Sequence, residues 1–466
     1  MLEPDRNSFG VLRLAMAIAV LVSHSFYLAS GQTEAEPLYA WTGYTLGQHG
    51  VQVFFVLSGL LVTQSLMKSG SVLDYGLARA LRIFPALIVC VGVTAFVLGP
   101  LATVLNLRGY FADPGLFAYL LKTVFLVTGS APLPGLFDTH PLPGIVNSSL
   151  WTLKYEVLCY IGLAVLGSLA IRTGLSREIG VAIAGFAVGA ILVARPELAT
   201  SNTPTGTIYY FAVFFGAGVL AYAMRCVLPV TLLILAPLAV LMVAAIGTHW
   251  SEVTMALALG YGAIWAASFK MGPLRAFTNE QDYSYGVYIY GVPATQLLIQ
   301  FVPGLAVGPL ILLTIAIVLP LALLSWELIE RPMLRRRYDL VAGVNRWLGW
   351  AMHSAPSQVL ESVAHPLVEA QSSDTAQPPM PRTAGTATRL LTRLNLVKPE
   401  PVEEPPPPPP PAHRIAFVAQ PKGEIGSLRH AKPHVRRAIE LPPAMLRPST
   451  AVVALAGQEV AAGLSA

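Results

Sequence analysis

Long runs of apolar residues, separated by short polar connections, occupy the first 340 residues of the chain. Most of these runs approach the roughly 20 residues that an α-helix needs to cross a bilayer. Ten are predicted to span a membrane, at about residues 9–29, 49–67, 82–104, 149–171, 179–194, 206–224, 228–247, 252–269, 283–301 and 305–328. The pattern predicts an all-α polytopic membrane protein with about ten transmembrane helices.

Residues 114–128 form a weaker apolar run that contains Lys122, and counting it as a span would reverse every later helix. With ten spans and a cytoplasmic N-terminus, thirteen Lys and Arg residues lie on the inner side. Only Arg108, Lys122 and Arg195 then lie on the outer side. Because basic residues concentrate in cytoplasmic loops, we expect residues 105–148 to form an outer loop with a short interfacial helix. Both termini are then cytoplasmic.

The composition changes after Arg337, where the chain becomes rich in proline, small and charged residues and includes a seven-proline run, Pro405–Pro411. Such a segment buries too little apolar surface to fold alone, and a proline run favours polyproline II. We therefore predict a transmembrane domain over residues 1–340 and a disordered proline-rich cytoplasmic tail over residues 341–466. The sequence does not identify a partner for the tail.

Composition supports the membrane assignment, since 54% of the 466 residues are hydrophobic and 12% are charged, against about 25% charged in soluble domains. The net charge of +5 does not indicate nucleic-acid binding, because the arginines lie at the ends of apolar runs. Cys90, Cys159 and Cys226 lie inside apolar runs without metal-ligand spacing. We expect neither a disulfide nor a metal site.

The first apolar run contains Arg13 and His24. An arginine in a spanning helix costs roughly 2.5 to 3.5 kcal/mol even on lenient scales. The two residues are eleven positions apart, which places them on one helix face, roughly 16 Å apart along the axis. This arrangement predicts a buried site with a fixed cation at one depth and a titratable imidazole at another. The alternatives are that Arg13 extends to the interface and that His24 only packs between helices.

Glu156, in SLWTLKYEVLCY, is a carboxylate one turn into an apolar helix. Topology places it in the same half of the membrane as His24. We expect Glu156 to accept a hydrogen bond from His24, which would fix the tautomer and raise the basicity of the imidazole. The alternative is a structural ion pair with Lys154 or Arg13.

Arg79 and Arg82, in ARALRIFPAL, lie three residues apart and share a helical face. Two such arginines are typical of a phosphate clamp, although they also fit the positive-inside rule. Two further features have simpler interpretations. Asp282 is predicted to be an N-cap, and the pair Glu330 and Arg331 is predicted to close the last helix.

Six segments, in this order, resemble the acyltransferase-3 family of bacterial integral-membrane O-acyltransferases. They are RLAMAIAVLVSH, GVQVFFVLSGLL, ARALRIFPAL, SLWTLKYEVLCY, DYSYGVYIYGVP and ELIERPMLRR. The resemblance implies about ten helices in the bacterial inner membrane and an acyl-CoA donor, usually acetyl-CoA, that arrives from the cytoplasm. It also implies transfer to a hydroxyl of a cell-envelope or exported glycan or of a lipid-linked sugar, with the first-helix Arg13 and His24 essential and no permanently bound cofactor.

The chain departs from the family pattern at two motifs. Val157 follows the glutamate where many members carry an acidic residue or Gln, and Tyr290-Gly291 stands where many members carry Trp-His. A mechanism with a second histidine at that motif therefore does not apply. The tail also lacks the serine-hydrolase-like motif of some relatives, so acceptor handling is expected to rest on the membrane domain.

The resulting hypothesis assigns binding of acyl-CoA to Arg13, Arg79 and Arg82, and catalysis to His24 and Glu156. His24 either removes the proton from the acceptor hydroxyl or is itself acylated for a short time. A transporter of an acyl group or glycan precursor is the alternative, because intramembrane Arg, His and Glu also suit a proton relay. A scaffold that uses the proline run is the third possibility.

Overall fold

The computed structural model describes residues 7–354, apart from residues 70 and 130, most of 173–202 and most of 270–280. These residues belong to one compact unit of the chain. Every regular element among them is helical, in agreement with the predicted fold class. The proline run and most of the predicted tail lie outside the described residues.

The described helices, numbered along the chain, are α1 Phe9–Ser30, α2 Pro37–Thr42, α3 Leu46–Lys68, α4 Val72–Val93, α5 Gly99–Ala102, α6 Leu107–Ala112, α7 Pro114–Val124, α8 Trp151–Arg172, α9 Pro204–Ala223, α10 Leu232–Ala244, α11 Ser251–Ala267, α12 Ser284–Phe301, α13 Val307–Ser325, α14 Arg331–Arg335 and α15 Arg337–Ser354. Two π-helical turns, Thr94–Leu98 and Trp326–Glu330, join α4 to α5 and α13 to α14.

Six helical segments within the described residues are long and apolar enough to cross a membrane. They are Phe9–Ser30, Leu46–Lys68, Val72–Ala102, Ser148–Ala170, Pro204–Ala223 and Val307–Arg335. Several such helices in one chain mark a membrane protein. Of the other predicted spans, 179–194 lies largely outside the described residues, and α10, α11 and α12 are helices that fall outside this group of six. The count of ten spans stays a prediction.

Helix α4 begins ten residues before the predicted span at 82–104. Its N-terminus is set by Ser71, whose side chain accepts a hydrogen bond from the backbone N–H of Asp74. The polar first half of α4 interrupts the apolar pattern, so Arg79 was predicted to precede the span and Arg82 to begin it. The structure places both arginines inside the helix.

Helices α3 and α9 approach each other closely at two glycines. A Cβ atom on Gly59 would lie 2.0 Å from the carbonyl oxygen of Phe215, and one on Gly218 would lie 2.0 Å from that of Val56. Only glycine permits two helix backbones to come this near.

The region 105–148 folds over one end of the bundle. It contains two short helices, α6 and α7, rather than the single one predicted, and Tyr110 and Tyr119 on them are buried. Its second half is fastened to α12, since the ring nitrogens of His140 lie 2.7 Å from the side-chain oxygens of Gln296 and Gln300. Residues 105–148 therefore form an ordered cap.

Helix α15 continues to Ser354, so the predicted domain boundary at residue 340 falls inside a helix. Arg337 at its start donates two hydrogen bonds, of 2.8 and 2.7 Å, to the carboxylate of Asp74 on α4. A bidentate pair of this kind fixes orientation as well as distance. It holds the beginning of α15 against α4.

Candidate active site

Two cavities lie between the helices that carry the predicted site residues. The arginine cavity is lined by the predicted residues Arg13, Arg79, Arg82 and Glu156, and by Val51, Phe54, Phe55, Ser58, Leu61, Val62, Ile83, Thr152, Leu153, Tyr160, Ser284, Tyr285 and Tyr288. The histidine cavity is lined by the predicted residue His24 and by Ser23, Tyr27, Thr33, Glu36, Thr45, Gly47, Gln48, Val51, Ser148, Trp151, Tyr210 and Phe211.

The two cavities adjoin. Val51 on α3 lines both, and the consecutive α8 residues Trp151 and Thr152 line one cavity each. Arg13 and His24, in opposite halves of α1, each line one of the two cavities. The predicted shared face of α1 therefore lies along the pair of cavities.

Arg13 and Arg82 converge on one carboxylate. Both guanidiniums form salt bridges with Oδ2 of Asp282, and the distance from Arg82 is 2.6 Å. A second carboxylate, Glu330, lies 2.6 Å from the other terminal nitrogen of Arg82. Two cations are thus matched by two anions inside the protein. Removal of any one of these four side chains is costly because it leaves a buried charge unpaired.

The surroundings of Asp282 favour its ionised form. Burial alone would raise the pKa of this carboxyl, but the charges of Arg13 and Arg82 and the hydrogen bonds from Ser284 outweigh burial and lower the pKa to about 2. The hydroxyl and the N–H of Ser284 lie 2.5 and 3.3 Å from Oδ1. The N-cap of α12 is Tyr283, so the predicted N-cap role of Asp282 is wrong by one residue, and Asp282 instead anchors two arginines.

Arg79 differs from its two neighbours because no carboxylate pairs with it among the described residues. Its one hydrogen bond there is a long one, 3.5 Å, to the hydroxyl of Ser65, and its Nε is buried without a partner. The predicted clamp of Arg79 and Arg82 is therefore unequal. Arg82 is neutralised by protein carboxylates, whereas Arg79 presents an uncompensated cation to the cavity.

Glu156 accepts hydrogen bonds from two hydroxyls, those of Ser58 on α3, at 2.9 Å, and Tyr160 on α8. The predicted hydrogen bond from His24 is wrong, because Glu156 lines the arginine cavity and His24 lines the other one. The predicted alternative partner Arg13 is paired with Asp282 instead. Helix position alone had placed Glu156 and His24 at similar depth, and side-chain direction separates them.

His24 has its own hydrogen bond, with Nδ1 at 2.9 Å from the backbone carbonyl of Val20. Because a carbonyl can only accept, Nδ1 carries the hydrogen and the lone pair of the neutral ring is on Nε2. The backbone of α1 thus fixes the tautomer, the task that had been predicted for Glu156. A neutral imidazole in this tautomer is able to accept a proton at Nε2.

Glu36 is the carboxylate that lines the histidine cavity. It lies in the connection between α1 and α2 and accepts hydrogen bonds from the hydroxyl of Ser23 and, at 2.5 Å, the N–H of Leu46. The sequence prediction missed it because the polar segment around it has no periodicity. It also missed the anchoring roles of Asp282 and Glu330, for which the signal was the need of buried arginines for anions.

Comparison with known proteins gives a family and two relatives. Residues 6–327 match a family described as an acyltransferase domain. An O-acetyl transferase of Shigella phage Sf6 is 31% identical over 334 residues, which cover 71% of this chain and 96% of the relative. Nodulation protein 10 of Rhizobium leguminosarum bv. viciae is 29% identical over 372 residues, 72% of this chain and 95% of the relative. No solved structure matches the chain significantly.

Proposed function

Since the chain belongs to the acyltransferase-3 family and is an O-acyltransferase, we propose that it moves an acetyl group from acetyl-CoA to a hydroxyl of a cell-envelope or exported glycan. The donor approaches from the cytoplasm through the arginine cavity, and the acceptor enters the histidine cavity from the opposite side of the bacterial inner membrane. The observation that carries the proposal is the junction of the two cavities at Val51.

Arg79 supplies the charge for the donor. A CoA diphosphate is anionic, and a guanidinium that pairs with no carboxylate of the described residues offers it charge-assisted hydrogen bonds. Arg13 and Arg82, which pair with Asp282 and Glu330, set the geometry of the cavity wall around the donor. Glu156 holds the hydroxyls of Ser58 and Tyr160 along the path that the pantetheine arm takes toward Val51.

His24 acts at the junction between donor and acceptor. Its Nε2 takes the proton of the acceptor hydroxyl while the hydroxyl oxygen forms a bond to the thioester carbonyl carbon. The carbon–sulfur bond breaks, and the departing CoA thiolate receives the proton from the imidazolium. A positioned general base of this kind contributes typically 10² to 10⁴ in rate. Transient acylation of His24 is the variant of this chemistry in which the imidazole is the first acceptor.

The test is an assay of purified chain in lipid nanodiscs with radiolabelled acetyl-CoA. We expect release of CoA thiol, and ester-linked acetate on surface polysaccharide purified from the organism that carries the gene. A protein that only transports would release no thiol and form no ester. That result would exclude the proposed reaction.

A further inference from the structure

The histidine cavity contains an acidic side chain that the mechanism above leaves without a role. Glu36 is only 4% exposed and is held from two sides, by the hydroxyl of Ser23 on α1 and the first N–H of α3 at Leu46. Within the described residues it forms no salt bridge, and the amino end of α3 is the nearest positive partner that the contacts provide. The two hydrogen bonds fix the carboxylate in place.

Glu36 has hydrogen-bonding capacity to spare. A carboxylate offers about four acceptor positions on its two oxygens, and the contacts with Ser23 and Leu46 use one on each oxygen. The residue lines the histidine cavity, so the remaining positions are available to a molecule inside it. A ligand hydroxyl group can donate a hydrogen bond to these positions and keep its proton.

The other residues that line the cavity suit the apolar faces of a sugar ring. Trp151, Tyr27 and Phe211 give the cavity aromatic surface, and the side chain of Gln48 adds an amide. A pyranose ring has hydroxyl groups around its edge and C–H groups on its faces. Aromatic faces beside a few fixed polar groups bind a ligand of that kind.

His24 and Glu36 line the same cavity without bonding to each other. The hydrogen bond of His24 is with Val20, and those of Glu36 are with Ser23 and Leu46. A molecule between them is able to contact both at once. It can present one hydroxyl to the imidazole for reaction and neighbouring hydroxyls to the carboxylate.

We infer that Glu36 binds non-reacting hydroxyl groups of the acceptor sugar and so holds the reacting hydroxyl at His24. This inference rests on the proposed function. It assigns acceptor recognition to the segment between α1 and α3 and makes Glu36 a binding residue, distinct from Glu156 in the arginine cavity.

Three variants distinguish acceptor binding by Glu36 from a purely structural role of its hydrogen bonds with Ser23 and Leu46. Glu36→Gln removes the charge, and Glu34→Gln removes a matched charge from an exposed residue two positions away that does not line the cavity. Ser23→Ala removes one of these hydrogen bonds and keeps the Glu36 carboxylate. If Glu36→Gln fails to fold, Glu36→Asp keeps the charge and shortens its reach.

Each variant is assayed in nanodiscs for CoA release from acetyl-CoA without acceptor and for acetyl transfer to the purified surface polysaccharide. For Glu36→Gln or Glu36→Asp we expect the acceptor KM to rise 10- to 100-fold, with CoA release by water within twofold of the parent. Glu34→Gln stays near the parent in both assays, whereas Ser23→Ala, which removes one of the two hydrogen bonds that hold Glu36, raises the acceptor KM by less than the Glu36 variants do. Parent-like transfer in the Glu36 variants, or equal loss of transfer and CoA release, would overturn the inference. A parent protein inactive in both assays would instead overturn the proposed function on which the inference rests.

Discussion

The guanidinium of Arg82 lies 2.6 Å from the carboxylate of Glu330, whose side chain is almost completely buried. The pair joins α4 to the π-helical turn that follows α13. Arg79, one turn earlier on α4, pairs with no carboxylate in the part of the chain that the structure describes. Under the proposed function, Arg82 is therefore a structural arginine and Arg79 is the arginine that binds the donor.

Breaking that pair should destabilise the protein strongly. Glu330→Gln leaves the Arg82 cation with one fewer anion in a buried site, a change that typically costs about 3 to 5 kcal/mol. The loss of stability is measured by heating the detergent-solubilised protein and determining the fraction that stays monodisperse at each temperature. The control is Glu327→Gln, which breaks an exposed pair with Arg331 of the same 2.6 Å length and should cost under about 1 kcal/mol. Equal losses would contradict a structural role for Glu330.

The ionised carboxylate of Asp282 should make the stability of the folded protein depend on pH in the acid range. Its folded-state pKa of about 2 lies below the ordinary value of 3.8, so ionisation of this carboxyl stabilises the folded state. The contribution is complete above about pH 4 and is lost as the pH falls through 2, an effect on the order of 2 kcal/mol. The difference in unfolding free energy between the parent and Asp282→Asn should therefore shrink from pH 5 to pH 2. Curves that stay parallel would show that the carboxyl is not held in this way.

Arg79 should affect donor binding more than stability. Arg79→Gln leaves no buried carboxylate unpaired, because no carboxylate pairs with Arg79 among the described residues. Loss of a hydrogen bond to a charged group is worth about 1.5 to 3 kcal/mol, so we expect the KM for acetyl-CoA to rise about 10- to 100-fold. The unfolding temperature should stay near that of the parent. Arg331→Gln is the matched control on the exposed surface, and an unchanged KM in Arg79→Gln would exclude Arg79 from the donor site.

The contact between α3 and α9 should not tolerate one added methyl group. Gly59→Ala forces a Cβ against the carbonyl of Phe215 and should cost about 1 to 3 kcal/mol. Gly76→Ala on α4, where a Cβ would meet nothing within 4 Å, should be neutral or slightly stabilising because alanine favours helix. Comparison of the two melting temperatures checks this, and a stable Gly59→Ala variant would mean that the helices can separate freely.

Apolar run length predicted where most helices lie, because a bilayer imposes the same requirement on every span. It failed at the start of α4, where Asp74, Arg79 and Arg82 interrupt the apolar pattern. Those side chains find partners inside the protein, namely Arg337, Ser65 and the pair Asp282 and Glu330. Apart from Ser65, these partners lie 200 or more residues away in the sequence, and pairing over such a separation leaves no local signal.

Only part of the candidate site could be predicted, because its contacts also join residues that are far apart in the sequence. The helical spacing of Arg13 and His24 identified the face of α1 that borders both cavities. The spacing gave no information on which carboxylate each would meet, because that depends on how α3, α8 and α12 pack around α1. Glu156 was therefore assigned to His24, whereas the structure gives it to Ser58 and Tyr160 and places Glu36 in the histidine cavity.

The most direct measurement compares acetyl transfer by the parent, His24→Ala and His249→Ala, the last of which alters an exposed histidine. All three should be recovered from the membrane in equal amounts and elute as folded protein. We expect His249→Ala to match the parent and His24→Ala to lose acetyl transfer to polysaccharide. Full transfer by a correctly inserted His24→Ala variant would contradict the assignment of His24 as the group that acts on the acceptor hydroxyl.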